Sequence, residues 1–264
     1  MVKVILMLNN IIKATLLAKH EVQGYRRFTN SIKIIKRNSV EYKNLLELKN
    51  NGYTIIKDFI EPNILNPIVH KLDNFYKRPN LDDPSYRVGG ARWQNIEIDF
   101  PELKKILLEN NNVKKIIKIY LENGINDFKK LVYQHSYYEK DLNDHNKKEI
   151  GLGRAWHCDT WKNEIKLMLF CTDIDETNGP LEVIPKSHNF LQNPIKIDYA
   201  KKIFSTIYPS KFNSDNLYFT INNESLKSRK IVGHKGSLAI FNTRCLHKAS
   251  ILKNGLRKVI WAYF

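Results

Sequence analysis

GRAWHCDTW, residues 153–161, is the stretch from which the rest of the chain is best read. His157 and Asp159 stand one residue apart, and on a strand positions i and i+2 share a face, so an imidazole and a carboxylate can meet one cation there. An HxD pair alone is a weak signal. It gains weight from GSLAIFNTRCLH, which ends at His247 ninety positions later, and from Arg257 ten residues further on in LRKVIWAYF. His234 flanks the same predicted strand as His247 and is its rival as third ligand; the placement of Arg257 favours His247. Two histidines and one carboxylate on one face of an octahedron leave three positions open, the geometry associated with non-haem iron oxygenases.

Outward from this segment, the chain beyond residue 128 consists of short runs rich in β-branched and aromatic residues, separated by turn signals: 128–138, 165–172, 181–184, 217–221, 237–242 and 257–264. Asn178-Gly179 is a tight-turn signal that hairpins the preceding strand into 181–184. Upstream, Ser39 caps a helix reaching about Asn50, Gly52 turns the chain into a strand at Tyr53–Ile56, and residues 61–76 carry helical spacing with Pro62 in the first turn. The expected fold is α+β with a mainly β core, a double-stranded β-helix (jelly-roll, cupin-like) flanked by N-terminal helices. Residues 1–40 form an N-terminal helical and basic extension, irregular over 21–40, and residues 41–264 the main domain.

Composition sets the class. The 264 residues are 42% hydrophobic and 11% aromatic, as in a folded globular chain. The 43 Lys+Arg against 27 Asp+Glu leave a net charge of +16. That charge is spread along the chain with no nucleic-acid module beside it, so a small-molecule substrate is expected rather than nucleic acid. Cys158, Cys171 and Cys245 form no CxxC pair and cannot pair completely, which fits a reducing, cytoplasmic setting. Cys158 and Cys245 lie close to the proposed ligands, but a strand turns Cys158 away from its neighbours, and it is taken as a packing residue. The apolar run at residues 1–20 is broken by Asn9, Asn10 and Lys13, too early for a membrane span; an amphipathic helix packed on the main domain is expected.

HCD at 157–159, NGPLEVIPKSH at 178–188, His247 and Arg257 together resemble the phytanoyl-CoA dioxygenase family, from roughly residue 44 to the end. The resemblance implies that His157, Asp159 and His247 bind Fe(II), that Arg257 pairs with the distal carboxylate of 2-oxoglutarate, and that O₂ is the oxidant. A planar guanidinium suits a carboxylate because it can bind both oxygens. Lys186 stands where the family usually has Gly, and Ser250 lies further from the distal His than the family's usual Ser or Thr. Related halogenases lack the carboxylate, so Asp159 points to hydroxylation of a small organic substrate, possibly anionic, such as an acyl-CoA or sugar-type compound. Tyr263 occupies the position where nucleic-acid demethylases of the superfamily carry a second arginine. The competing readings are an oxygenase acting on nucleic acid or protein, a non-catalytic cupin-like binding protein, and a zinc hydrolase. Trp156 and Trp161 either line a substrate pocket or fill the barrel wall. Lys166 either meets an anionic substrate or cosubstrate or, as expected in so lysine-rich a chain, is solvated. The remaining histidines, His20, His70, His135, His145 and His188, are expected to be packed or surface residues.

Overall fold

Ser39 starts helix α1 (Val40–Asn51) by accepting the Tyr42 N–H at 3.2 Å, and Gly52 ends it at φ 82° with its N–H on the Leu48 carbonyl. That left-handed turn, which glycine adopts without Cβ strain, delivers the chain into strand β1 (Tyr53–Ile56). Helix α2 (Pro62–Phe75) has proline in its first turn and buries Leu65, Val69 and Leu72. The computed structural model describes residues 19, 22–26, 28–30, 32–33, 35–77, 86–87, 90–121, 124–137, 157, 159, 164–189, 227–250 and 252–264. The helix expected within residues 1–20 and the strand expected at 217–221 lie outside these residues.

Nine further strands follow: β2 (Tyr86–Arg87), β3 (Gly90–Gln94), β4 (Lys130–Tyr137), β5 (Ile165–Phe170), β6 (Leu181–Val183), β7 (Arg229–Ile231), β8 (Leu238–Asn242), β9 (His247–Ala249) and β10 (Leu256–Tyr263). They form two antiparallel sheets, one ordered β1-β8-β5-β10-β4-β3-β2 and one ordered β7-β6-β9. An isolated bridge from His157 to His247 extends the smaller sheet beside β9. This is the double-stranded β-helix expected from the strand pattern.

Period-two alternation assigns the two faces of the large sheet. Along β10, Val259 and Trp261 point inward with Val132, Met168, Phe170, Ala239 and Phe241, meeting Leu181, Val183 and Ile231 of the smaller sheet. Ile260 and Ala262 point outward, with Leu131, Leu167, Leu169 and Ile240, into a core closed by the helices. Two of those helices, α3 (Pro101–Leu108) and α4 (Asn111–Tyr120), are absent from the sequence expectations; α4 begins where the Asn110 side chain accepts the N–H groups of Asn112 and Val113. Burying Leu103, Leu107, Val113, Ile116 and Ile117, each side chain contributing about 1.5–3 kcal/mol, fixes this layer on the sheet.

Two expectations are corrected. Residues 22–26 and 28–30, expected to be irregular, are helical, and Phe28 is buried in the outer core. Asn178-Gly179 makes a turn, with Gly179 at φ 76°, but no hairpin: β5 lies in the large sheet and β6 in the small one. The turn instead carries the chain across the sandwich, because the Asn178 side chain is held by the Asp173 carbonyl and the Asp175 N–H. Among the described residues no helix is long and apolar enough to cross a membrane.

Candidate metal centre

His157, Asp159 and His247 come together at one end of the sandwich. The backbones of His157 and His247 exchange two hydrogen bonds, at 3.0 and 2.8 Å, and the Asp159 N–H donates to the Thr243 carbonyl at 3.0 Å. All three residues are thereby pinned to the β8–β9 connection. Their nearest ligand atoms all lie within 4.8 Å of one another, and the Asp159 oxygens stand 3.4 Å from His247 Nε2 and 3.8 Å from His157 Nε2. A cation at about 2.1 Å from each donor would draw them closer through small side-chain rotations.

The donor set fits a divalent metal for a further reason. Nδ1 of His247 lies 2.8 Å from the Cys245 carbonyl, and a carbonyl only accepts, so Nδ1 carries a proton and Nε2, facing Asp159 and His157, is the nitrogen that would ligate a metal in place of its hydrogen bond to Asp159. The His247 ring also packs edge-on against Phe241, with centroids 5.2 Å apart. The side chains of His157 and His247 are 12% and 5% exposed and that of Asp159 is 28% exposed, so the cluster opens to solvent on the carboxylate side. Burial works against ionisation of Asp159. The hydrogen bond and charge of His247 and the ammonium of Lys166 outweigh it and hold the carboxyl well below the usual carboxylate range. The carboxylate is therefore ready as an anionic ligand.

Lys166, expected to be solvated, is instead paired: its Nζ is 2.6 Å from Asp159 Oδ2 and its side chain is only 16% exposed. The reason is register, since Lys166 shares the inward face of β5 with Met168 and Phe170. His234 is 91% exposed and faces Asp173, apart from the cluster. Cys245 contributes its carbonyl, while its thiol turns away to His188 Nδ1 at 3.5 Å. His188 is buried against the Lys49 carbonyl, His135 sits beside Asp73, and His70 is exposed. Cys158, Trp156, Trp161, His20 and His145 lie outside the described residues.

Arg257 is buried on the inward face of β10, opposite Ser136 in register. Its guanidinium donates to the Ser136 hydroxyl at 3.0 Å and to the Gly179 carbonyl. Gly179 packs beside the Ser250 carbonyl, one residue past β9, so the guanidinium is placed three residues along from His247. Ser136, Gly179 and the Cys245 carbonyl escaped the sequence reading. Only strand register could have revealed the first, and a backbone acceptor leaves no side-chain signature.

The family model described as phytanoyl-CoA dioxygenase matches residues 48–255. No curated protein sequence matches the chain. Among solved structures, the chain resembles the epimerase SnoN in complex with Fe3+, alpha ketoglutarate and nogalamycin RO, with 11% identity, TM-score 0.58, and coverage of 84% of this chain and 82% of that one. It resembles SnoK, the non-heme alpha ketoglutarate dependent carbocyclase from nogalamycin biosynthesis, at 10% identity and TM-score 0.57 over 88% and 84%. It also resembles EctD from S. alaskensis with 2-oxoglutarate and 5-hydroxyectoine, at 13% identity and TM-score 0.56 over 87% and 78%. At such identities the likeness speaks to the fold.

Proposed function

Because the chain belongs to the phytanoyl-CoA dioxygenase family, matched over residues 48–255, we propose that it hydroxylates a small organic substrate with 2-oxoglutarate and O₂, at Fe(II) held by His157, Asp159 and His247. It is a 2-oxoglutarate-dependent oxygenase, and the finer reading concerns which residues act and on what. The observation that carries it is the convergence of the three donors with the His247 tautomer already set.

Bound there, Fe(II) with 2-oxoglutarate and O₂ supplies the oxidising chemistry, the keto acid leaving as succinate and CO₂. The chain's own work is positioning. His157 and His247, locked by paired backbone hydrogen bonds, and Asp159, kept ionised, are the residues that would hold the metal, and three protein donors would leave room on it for the cosubstrate. Arg257, buried and already oriented by Ser136 and Gly179, offers a planar fork to the far carboxylate of the keto acid. Phe241, edge-on to His247 and packed against Trp261 on the inner face, shields that side of the cluster from water.

The test is anaerobic reconstitution with Fe(II), followed by succinate release and mass spectrometry of candidate substrates. One iron per chain, succinate dependent on iron, and a product heavier by one oxygen atom are expected. Release of succinate with a product of unchanged mass would overturn hydroxylation, and no iron-dependent succinate would overturn the site assignment.

A further inference from the structure

The inner face of the large sheet ends in a row set by register: Lys130 opposite Tyr263, Tyr263 opposite Lys166, and Lys166 opposite Phe241. Side chains directly opposite one another in an antiparallel sheet point the same way, so this row sits at the end of the sandwich where Phe241 touches His247. Tyr263 is the hub of the row. Lys166 Nζ stands 4.4 Å from its ring centroid, Lys130 Nζ 5.8 Å, and Arg92 from β3 donates to its hydroxyl. Three cations therefore gather round one partly buried ring, and among the described residues Asp159 alone is a carboxylate within ion-pair reach of any of them.

Among the described residues, three positive groups facing one carboxylate leave an excess of positive charge beside the metal cluster, and a divalent ion on Asp159 would add to it. Arg257 serves a different place. Its guanidinium is anchored on Ser136 and the Gly179 carbonyl, with its backbone six residues from Tyr263 on the same face of β10, so an anion held by Arg257 leaves the row of Lys166, Arg92 and Lys130 free for a second one.

We propose that Arg92, Lys130 and Lys166 form the substrate's anion-binding subsite, taking a carboxylate or phosphate group and holding the reacting carbon over the metal. The proposal rests on the oxygenase reading above and names the substrate class it left open. Lys166 has two roles in it: it holds Asp159 before the anion arrives and turns to the anion afterwards.

Calorimetric titration of the metal-free, full-length protein with inorganic pyrophosphate, inorganic phosphate and acetate tests this without turnover. Arg92→Gln and Lys166→Gln should each weaken the best-bound anion about tenfold, while Arg92→Lys retains most of the affinity and Lys253→Gln, at an exposed site, changes nothing. Asp159→Asn should strengthen binding about fivefold because it releases Lys166, a change of sign that a purely structural role would not produce. Pyrophosphate or phosphate preferred over acetate assigns a phosphorylated substrate, and the reverse a carboxylic acid. A second arm compares succinate release stimulated by carboxylic acids and phosphate esters with that from their amides and free alcohols. Anion affinity unchanged in both Arg92→Gln and Lys166→Gln, or equal stimulation by charged and neutral partners, overturns the subsite even if iron-dependent succinate release is intact. Loss of iron-dependent succinate release with anion binding intact counts against the oxygenase site alone.

Discussion

Replacing Gly52 with alanine perturbs the metal centre from its far side, through two residues that never touch the metal. A Cβ at Gly52 would lie 2.6 Å from His188 Nδ1 and overlap Cys245 Sγ, and the residue sits at φ 82°. The left-handed conformation costs a non-glycine residue about 1–2 kcal/mol, and forcing an extra methyl into packed surroundings about 1–3 kcal/mol more, giving a loss of about 2–5 kcal/mol. Gly255→Ala is the control: its φ is 69°, but no atom lies within 4 Å of the added Cβ, so only the conformational cost applies. Urea denaturation with an unchanged slope should place Gly52→Ala about 1–3 kcal/mol below Gly255→Ala. Because the Cys245 carbonyl sets the His247 tautomer, displacing Cys245 should also weaken metal binding ten- to a hundredfold, as loss of such an outer support does elsewhere. Equal destabilisation by the two substitutions, or unaltered metal affinity in Gly52→Ala, would refute the packing argument.

Three further outcomes are expected. His188 is driven by burial, despite its bond to the Lys49 carbonyl, to a pKa of about 4 against an ordinary 6.5. The unfolded chain therefore takes up this proton first as pH falls, and stability present above about pH 6.5 is lost between there and pH 4, by up to about 3 kcal/mol; His188→Gln should flatten that part of the stability profile. Arg257→Met should raise the 2-oxoglutarate requirement ten- to a hundredfold with a smaller effect on kcat, measured by succinate formation against cosubstrate concentration. Thr54→Val, which removes a hydroxyl shared with Glu47 at 2.7 Å and Asn44 at 3.3 Å, should cost about 1–3 kcal/mol in urea melts.

Legibility in the sequence followed the range of the interactions. Ser39, Gly52 and Pro62 act within one turn, so α1, β1 and α2 appear close to where those residues place them. Strands β4, β5, β6, β8 and β10 were visible because alternation and β-branched content are local as well. Helices α3 and α4 were passed over even though their apolar residues recur at helical spacing, and β7 and β9 are only three residues long. In the site, the HxD spacing brought His157 and Asp159 to notice because i and i+2 share a face. What stayed hidden depends on register between distant strands: Ser136 beneath Arg257, Lys166 turned onto Asp159, and Arg92 joined to Tyr263 across 171 positions. The Asn178-Gly179 turn shows the same limit. Its local chemistry was legible, but the sheet that each flanking strand joins was not.

The most direct measurement is anaerobic Fe(II) titration of the wild-type protein and Asp159→Ala, followed by the visible absorption that appears when 2-oxoglutarate chelates bound iron. One equivalent of iron and a saturable band are expected in the wild type, with both lost in Asp159→Ala while the far-ultraviolet dichroism of the two proteins coincides. Iron binding and band intensity indistinguishable between them would contradict Asp159 as a ligand.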